Sequence, residues 1–152
     1  MKAKELMTAD PACCTPSDNI GRAAQLMEQH DCGCIPVVEA SDNNCVIGVI
    51  TDRDIAVRGM ARGRSAETQV RELMTSAPCC CSADAAVTEI ERLMADRQVR
   101  RIVVVDDAGC CRGIVAQADL ARAAERSSEV SDEEVGRVVE RISEPSRQSD
   151  RF

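Results

Sequence analysis

The sequence predicts a mixed α/β (α+β) fold built twice from one unit of strand, helix, strand, strand and helix, and three observations carry that prediction. Glu5-Leu6-Met7-Thr8 recurs as Glu72-Leu73-Met74-Thr75, an offset of 67 residues. The correspondence then continues in order: Pro11 with Pro78, Cys13-Cys14 with Cys80-Cys81, Leu26-Met27 with Leu93-Met94, and Ile35, Val37 and Val38 with Ile102, Val104 and Val105. After a loop two residues shorter in the second copy, Gly48, Asp54 and Ala56 meet Gly113, Asp119 and Ala121. Ordered self-similarity of this length marks a structural repeat. Finally, the strand candidates are consecutive apolar runs rather than clean alternations, as in sheets covered by helices.

Each copy begins with a short extended segment, Ala12-Cys13-Cys14-Thr15 in the first. A helix follows, with Ser17 or Asp84 as the N-cap candidate. Its apolar stripe is Ile20, Ala23, Ala24 and Met27 in the first copy, and Val87, Ile90, Leu93 and Met94 in the second. A buried strand comes next, Ile35–Val38 or Ile102–Val105, and then a polar turn, Ser41–Asn44 or Asp106–Gly109. The second strand, Val46–Ile50 or Arg112–Val115, runs straight into a helix from Asp52 or Gln117. The repeats are thus read as residues 1–66 and 67–126, with a C-terminal segment at 127–152. A copy of about 60 residues would be marginal alone, since small domains bury a low fraction of their surface, so the two are expected to pack sheet to sheet with pseudo-two-fold symmetry. In the C-terminal segment, Ser131-Asp132-Glu133-Glu134 reads as a capping box. It opens a helix with Val135, Val138, Val139 and Ile142 on one face, for packing on its own module or on a second subunit. After Pro145 the chain is polar and expected to fray.

The 152 residues are 44% hydrophobic and 30% charged, with 26 acidic against 19 basic side chains and a net charge of −7. That balance fits a soluble globular protein and opposes binding through nucleic-acid phosphates. No apolar run reaches the roughly 20 residues of a membrane helix, and Glu5 precedes any apolar signal region, so a cytoplasmic location is expected. His30 is the single histidine, Trp and Tyr are absent, and Phe152 is the single aromatic. No Gly-x-Gly and no phosphate-loop motif occurs. No catalytic constellation can be assembled, and no enzyme is expected.

Two copies of Glu-Leu-Met-Thr, each leading through a helix to Ile-Pro-Val-Val or Ile-Val-Val-Val, then to Gly-Val-Ile-Thr-Asp-Arg-Asp-Ile or Gly-Ile-Val-Ala-Gln-Ala-Asp-Leu, resemble a tandem CBS-domain pair of the small stand-alone type. The resemblance spans about Leu6 to Ala124. It implies β-α-β-β-α repeats packed through their sheets, a homodimer of pairs, and a sensing rather than catalytic role. It further implies that clefts between repeats bind AMP, ADP, ATP or S-adenosylmethionine, and that a downstream protein partner, unnamed by the sequence, reads the result.

Where the strand Val46–Ile50 gives way to a helix, free backbone N–H groups and the positive helix end gather. Thr51 adds a hydroxyl, Arg53 a guanidinium suited to phosphate, and Asp54 a carboxylate able to accept from two ribose hydroxyls. In families of this type the matching Thr and Asp hold phosphate and ribose. The same Thr-x-x-Asp spacing also makes a capping box that serves only the helix start. In the second copy Ala116 and Ala118 replace Thr51 and Arg53, leaving Asp119, with Arg100 and Arg101 as substitute cations or a solvated pair. The clefts should therefore differ in affinity. Cys14, Thr15, Ile35 and Pro36 are expected to line one cleft, Cys81 and Ile102 the other, with adenine held by apolar contact.

Ten cysteines stand at positions 13, 14, 32, 34, 45, 79, 80, 81, 110 and 111. No Cys-x-x-Cys occurs, so the usual redox and zinc spacings are missing. The main reading is small apolar filler on strands. A lesser one makes His30, Cys32 and Cys34 metal ligands or a redox pair, and strand-to-strand disulfides from Cys13 or Cys14 are a third. His30 itself suits the C-terminus of a helix.

Overall fold

The runs Ile35–Val38, Val46–Ile50, Ile102–Val105 and Arg112–Val115 each lie within a strand, whereas Ala12–Thr15 contributes a single bridge at Cys14. A computed structural model describes residues 1–145; the tail after Pro145, expected to fray, lies outside the described residues. The elements run α1 (Ala3–Leu6), β1 (Thr8–Ala9), α2 (Ile20–Gln29), β2 (Cys34–Ala40), β3 (Asn43–Thr51), a π-helix (Asp54–Gly59) with a 3-10 turn (Met60–Arg62), α3 (Val70–Leu73), β4 (Thr75–Ser76), β5 (Cys80–Ser82), α4 (Val87–Arg97), β6 (Arg101–Val105), β7 (Cys111–Ala116), α5 (Gln117–Ala124) and α6 (Asp132–Ser143). The fold is mixed α and β, as predicted.

Compact units and sequence repeats do not coincide. The unit holding α2, β2 and β3 comprises Pro11–Pro78 with Gly109–Cys111. The other comprises Met1–Asp10, Cys79–Ala108 and, among the described residues, 112–145. The spans 1–66 and 67–126 expected from the sequence differ from these units, each of which takes its Glu-Leu-Met-Thr segment from the other repeat. The reason lies in backbone pairing and burial. Thr8 and Ala9 pair antiparallel with Ile114 and Gly113, and Ala3 lies fully inside the core formed with Ile90, Met94, Ile102 and Leu120. In the matching arrangement Thr75 and Ser76 pair with Val49 and Gly48, while Val70 and Leu73 enter the core of Ile20, Leu26, Val37 and Ile50.

In the first-repeat unit the sheet order is β2-β3-β4, all antiparallel, and Cys14 adds a single parallel bridge to Val37. In the second-repeat unit the order is β1-β7-β6-β5, with β5 parallel to β6. The repeat extends to rare backbone states: Asp10 and Ala77, and Asp31 and Gln98, are left-handed at matched positions. Such residues close turns where no glycine stands.

Several local expectations shift. Asn19, not Ser17, caps α2, its side chain accepting from Arg22 N at 2.8 Å. Ala86 occupies the cap of α4, and Asp84, two residues before it, is engaged by Lys4 and Lys2. Those hydrogen bonds hold the Asp84 carboxyl at about 2, well below the usual carboxylate range. Ala24 is exposed rather than part of the stripe. The helix after β3 is expanded: Met60 N–H bonds back to the carbonyls of both Ile55 and Ala56. Such π-segments are uncommon and often sit beside functional positions; α5, its counterpart, is regular.

Helix α6 packs on α4 and α5 of its own unit, burying Val138 and Ile142 with Val135 partly covered, while Val139 faces out. Ser131 and Glu134 close the anticipated capping box. Gly136 sits mid-helix with nothing within 4 Å of where a Cβ would stand. Gly136→Ala should therefore stabilise the protein by about 0.5–1 kcal/mol through helix propensity, read as a raised unfolding midpoint in denaturant. A lowered midpoint would contradict the docking of α6 described here.

Candidate functional site: the strand-to-helix turns

Strand β3 is anchored by Ile50, which is fully buried, and delivers Thr51 and Asp54 to the surface of the first-repeat unit. Thr51 N donates to Asp54 Oδ2 at 3.0 Å, and Asp54 N donates to Thr51 Oγ1 at 3.1 Å. The pair therefore forms a reciprocal capping box, the structural alternative raised by the spacing. The bonds leave chemistry over. Thr51 accepts through its oxygen and keeps its O–H as a donor, and a carboxylate offers about four acceptor sites. The Asp54 side chain is 14% exposed, with Arg58 Nε 3.9 Å from its Oδ1. Arg58 is also fixed by donating from Nη1 to Leu73 O at 3.1 Å. Sequence reasoning missed Arg58, although its i,i+4 spacing from Asp54 was the available signal. Arg53 is exposed at the start of the helical segment.

The other residues assigned to this site divide. Thr15 is half-buried, its N–H donating to Asp18 Oδ2 at 2.8 Å and its hydroxyl paired with Ser17 Oγ at 3.2 Å. Cys14, Ile35 and Pro36 are buried, and Cys14 and Ile35 belong to the core itself. Cys14 N donates to the Pro36 carbonyl at 3.1 Å. These three side chains serve packing and present no apolar wall to solvent.

In the second-repeat unit Ala116 N donates to Asp119 Oδ2 at 2.7 Å, but Ala116 has no hydroxyl to answer Asp119 N–H. Asp119, 12% exposed, is paired with Arg122, a partner the sequence reading also missed. Arg100 is exposed and Arg101 half-buried at the start of β6; the Arg100 carbonyl accepts from Gln117 N at 2.9 Å. Cys81 and Ile102 lie in the core. The two turns therefore differ as the residues implied: one has a hydroxyl and a carboxylate bonded to each other, the other a carboxylate alone. The described cavity of about 210 Å³, between Ala95, Asp96, Gln98 and Arg141, contains none of the assigned residues.

Cysteines 14, 34, 81 and 111 are buried, as filler thiols should be. Burial pushes Cys14 up to about 12, helped by the charges of Asp18 and Cys34, and burial pushes Cys81 up to about 11. Both stay protonated at neutral pH, which makes them poor nucleophiles. Cys13 is lowered by its hydrogen bond with Cys111. His30 closes the C-terminus of α2. Among the described residues no group of three His, Cys, Asp or Glu is placed to hold a metal, so His30, Cys32 and Cys34 do not form one. Among these residues, too, no helix is long and apolar enough to cross a membrane.

Two β-α-β-β-α repeats, each ending its third strand on a turn whose aspartate accepts from the turn's backbone N–H, define the class. A family model described as the CBS domain matches residues 3–59 and 70–126, and the chain belongs to the CBS-domain family as a tandem pair. It is 38% identical over 140 residues to the CBS domain-containing protein YhcV of Bacillus subtilis, covering 92% of this chain and 94% of that one. It is 34% identical over 121 residues to Hypoxic response protein 1 of Mycobacterium tuberculosis, covering 79% and 82%. A crystal structure of Hypoxic Response Protein I with two coordinated zinc ions matches with a TM-score of 0.71 at 32% identity, over 80% of this chain and 98% of that one. The CBS domain protein PAE2072 from Pyrobaculum aerophilum, solved in complex with AMP, shares the fold with a TM-score of 0.73 at 20% identity, over 79% and 90%.

Proposed function

We propose that this chain is a regulatory module that binds an adenine-containing nucleotide, AMP, ADP, ATP or a relative, on the Thr51–Asp54 turn of its first repeat. The supporting observation is the reciprocal Thr51–Asp54 pair, which fixes a hydroxyl donor and a carboxylate acceptor beside a helix start. Thr51 would donate to a phosphate oxygen, Arg53 would supply the cation, and Asp54 would accept from ribose hydroxyls. The complex of PAE2072 with AMP supports the ligand class. The loss of the hydroxyl at Ala116 favours weaker binding, or none, at the second turn.

Isothermal titration of reduced, full-length protein against AMP, ADP, ATP, NAD and S-adenosylmethionine tests this reading. At least one ligand should bind, and Asp54→Asn, which keeps one cap acceptor but loses the charge, should weaken it about tenfold or more, in line with hydrogen bonds to charged groups. Asp119→Asn should change the affinity far less. Silence with all five ligands would favour a second reading, a ligand-free interaction scaffold. That reading draws on the same turn, whose polar atoms already bond to each other.

A further inference from the structure

Cys45 and Cys110 stand directly opposite each other in an antiparallel bridge of the first-repeat unit. Val46 N, one residue beyond Cys45, donates to Gly109 O, one residue before Cys110, at 3.0 Å. That bond flanks the cysteines instead of joining them, so they form a non-hydrogen-bonded pair. In such pairs the Cα atoms approach to about 4.5 Å and the Cβ atoms to about 4.5–5.5 Å. A disulfide spans Cα separations of roughly 4.4–6.8 Å, so the backbone register already suits a bridge.

Three further facts point the same way. Cys45 Sγ is turned toward this segment, 3.9 Å from where a Cβ on Gly109 would stand. Asn44 Nδ2 donates to Cys111 O at 2.8 Å, a second tether that holds the register. Both cysteines are half-buried, whereas neighbouring Cys111 is 2% exposed and shielded from a reagent in solution.

We propose that Cys45 and Cys110 form a reversible disulfide, closed by exchange with a low-molecular-weight disulfide such as oxidised glutathione. One cysteine, as thiolate, attacks a sulfur of the small disulfide, making a mixed disulfide and expelling one small thiolate. The second cysteine, also as thiolate, attacks the protein sulfur of that mixed disulfide and expels the other. Two protein thiols are oxidised, one small disulfide is reduced to two thiols, and the two protons pass to the leaving thiolates. The bridge closes a loop of about 65 residues and restricts the unfolded chain. It is independent of the nucleotide reading.

The test uses the full-length protein, incubated with oxidised glutathione and then alkylated in denaturant without reductant. Intact mass should fall from ten alkylated cysteines to eight, and fragmentation should place the cross-link between Cys45 and Cys110. The unfolding midpoint should rise by roughly 10 °C and return on adding dithiothreitol. Cys45→Ser should show no cross-link and nine alkylated thiols. Ten alkylated thiols in the wild type, glutathione adducts without a cross-link, a cross-link surviving in Cys45→Ser, or one joining Cys13 to Cys111 would each overturn the proposal.

Discussion

Valine at Gly48 or at Gly113 should destabilise the protein by about 2–3 kcal/mol, because both glycines are buried where a repeated methionine crosses the sheet. A Cβ on Gly113 would stand 2.3 Å from Met7 Sδ, and one on Gly48 would stand 2.9 Å from the Thr75 carbonyl oxygen and 3.1 Å from Met74 Sδ. At Gly113 a flexible side chain must move. At Gly48 the obstacle includes backbone, so β4 itself has to shift from β3. Overpacking of this kind costs about 1–3 kcal/mol, with the added methyls at the upper end. In a chain of this size that lowers the midpoint by roughly 5–10 °C. Thermal unfolding of Gly48→Ala and Gly48→Val, beside the Gly113 pair, reads it directly. The Gly48 series should be the steeper of the two; two flat series would contradict the pairing of Thr75 and Ser76 with β3.

Glu91→Gln should stabilise the protein at neutral pH and lose that advantage in acid. Glu91 lies on α4 under α6, is 9% exposed, and its Oε1 has no hydrogen-bond partner. Burial pushes its carboxyl up, and the Glu134 charge adds to the shift. Glu134 itself is lowered by the Ser131 hydroxyl and N–H, with Arg137 also favouring its charged form, so it remains the anion of the pair. An acid whose pKa is raised on folding binds more protons folded than unfolded. Its stabilising contribution is complete below the ordinary carboxylate range and is lost as pH rises through the raised value. A buried group without a partner costs about 1–3 kcal/mol. The difference in unfolding free energy between Glu91→Gln and wild type should therefore grow from near zero at low pH to about 1–2 kcal/mol at pH 7. A difference independent of pH would show that the Glu91 carboxylate is hydrated and that α6 does not cover it.

Much of the fold was legible because its signals are local. Ile35–Val38, Val46–Ile50, Ile102–Val105 and Arg112–Val115 each appear within a strand, since short apolar runs with β-branched residues admit few alternatives. Pairing between distant segments was not legible. Nothing near Glu5-Leu6-Met7-Thr8 reveals that it completes the sheet of β7, because that choice rests on Gly113 and on the Ala3 pocket about a hundred residues away. Both caps lie two residues beyond the expected ones, at Asn19 and Ala86, because a side-chain type marks a candidate cap without fixing the residue at which the helix starts. The turn at Thr51 and Asp54 was legible as a motif, whereas Arg58 and Arg122 were not, since each is recruited only once the helix places it against its aspartate. Cys14, Ile35 and Ile102 were expected to line the clefts as apolar strand edges against which adenine would lie. Within their units all three lie in the cores, and β2 is buried on five successive residues, as in a strand covered on both faces.

The nucleotide proposal is tested most directly by recording backbone amide shifts of isotope-labelled, reduced protein as AMP is added. The amides of Thr51, Asp52, Arg53 and Asp54 should move first and furthest, with those from Ala116 to Asp119 following only at higher concentration. Shifts led by Ala116–Asp119, or none at millimolar AMP and the related nucleotides, would contradict it.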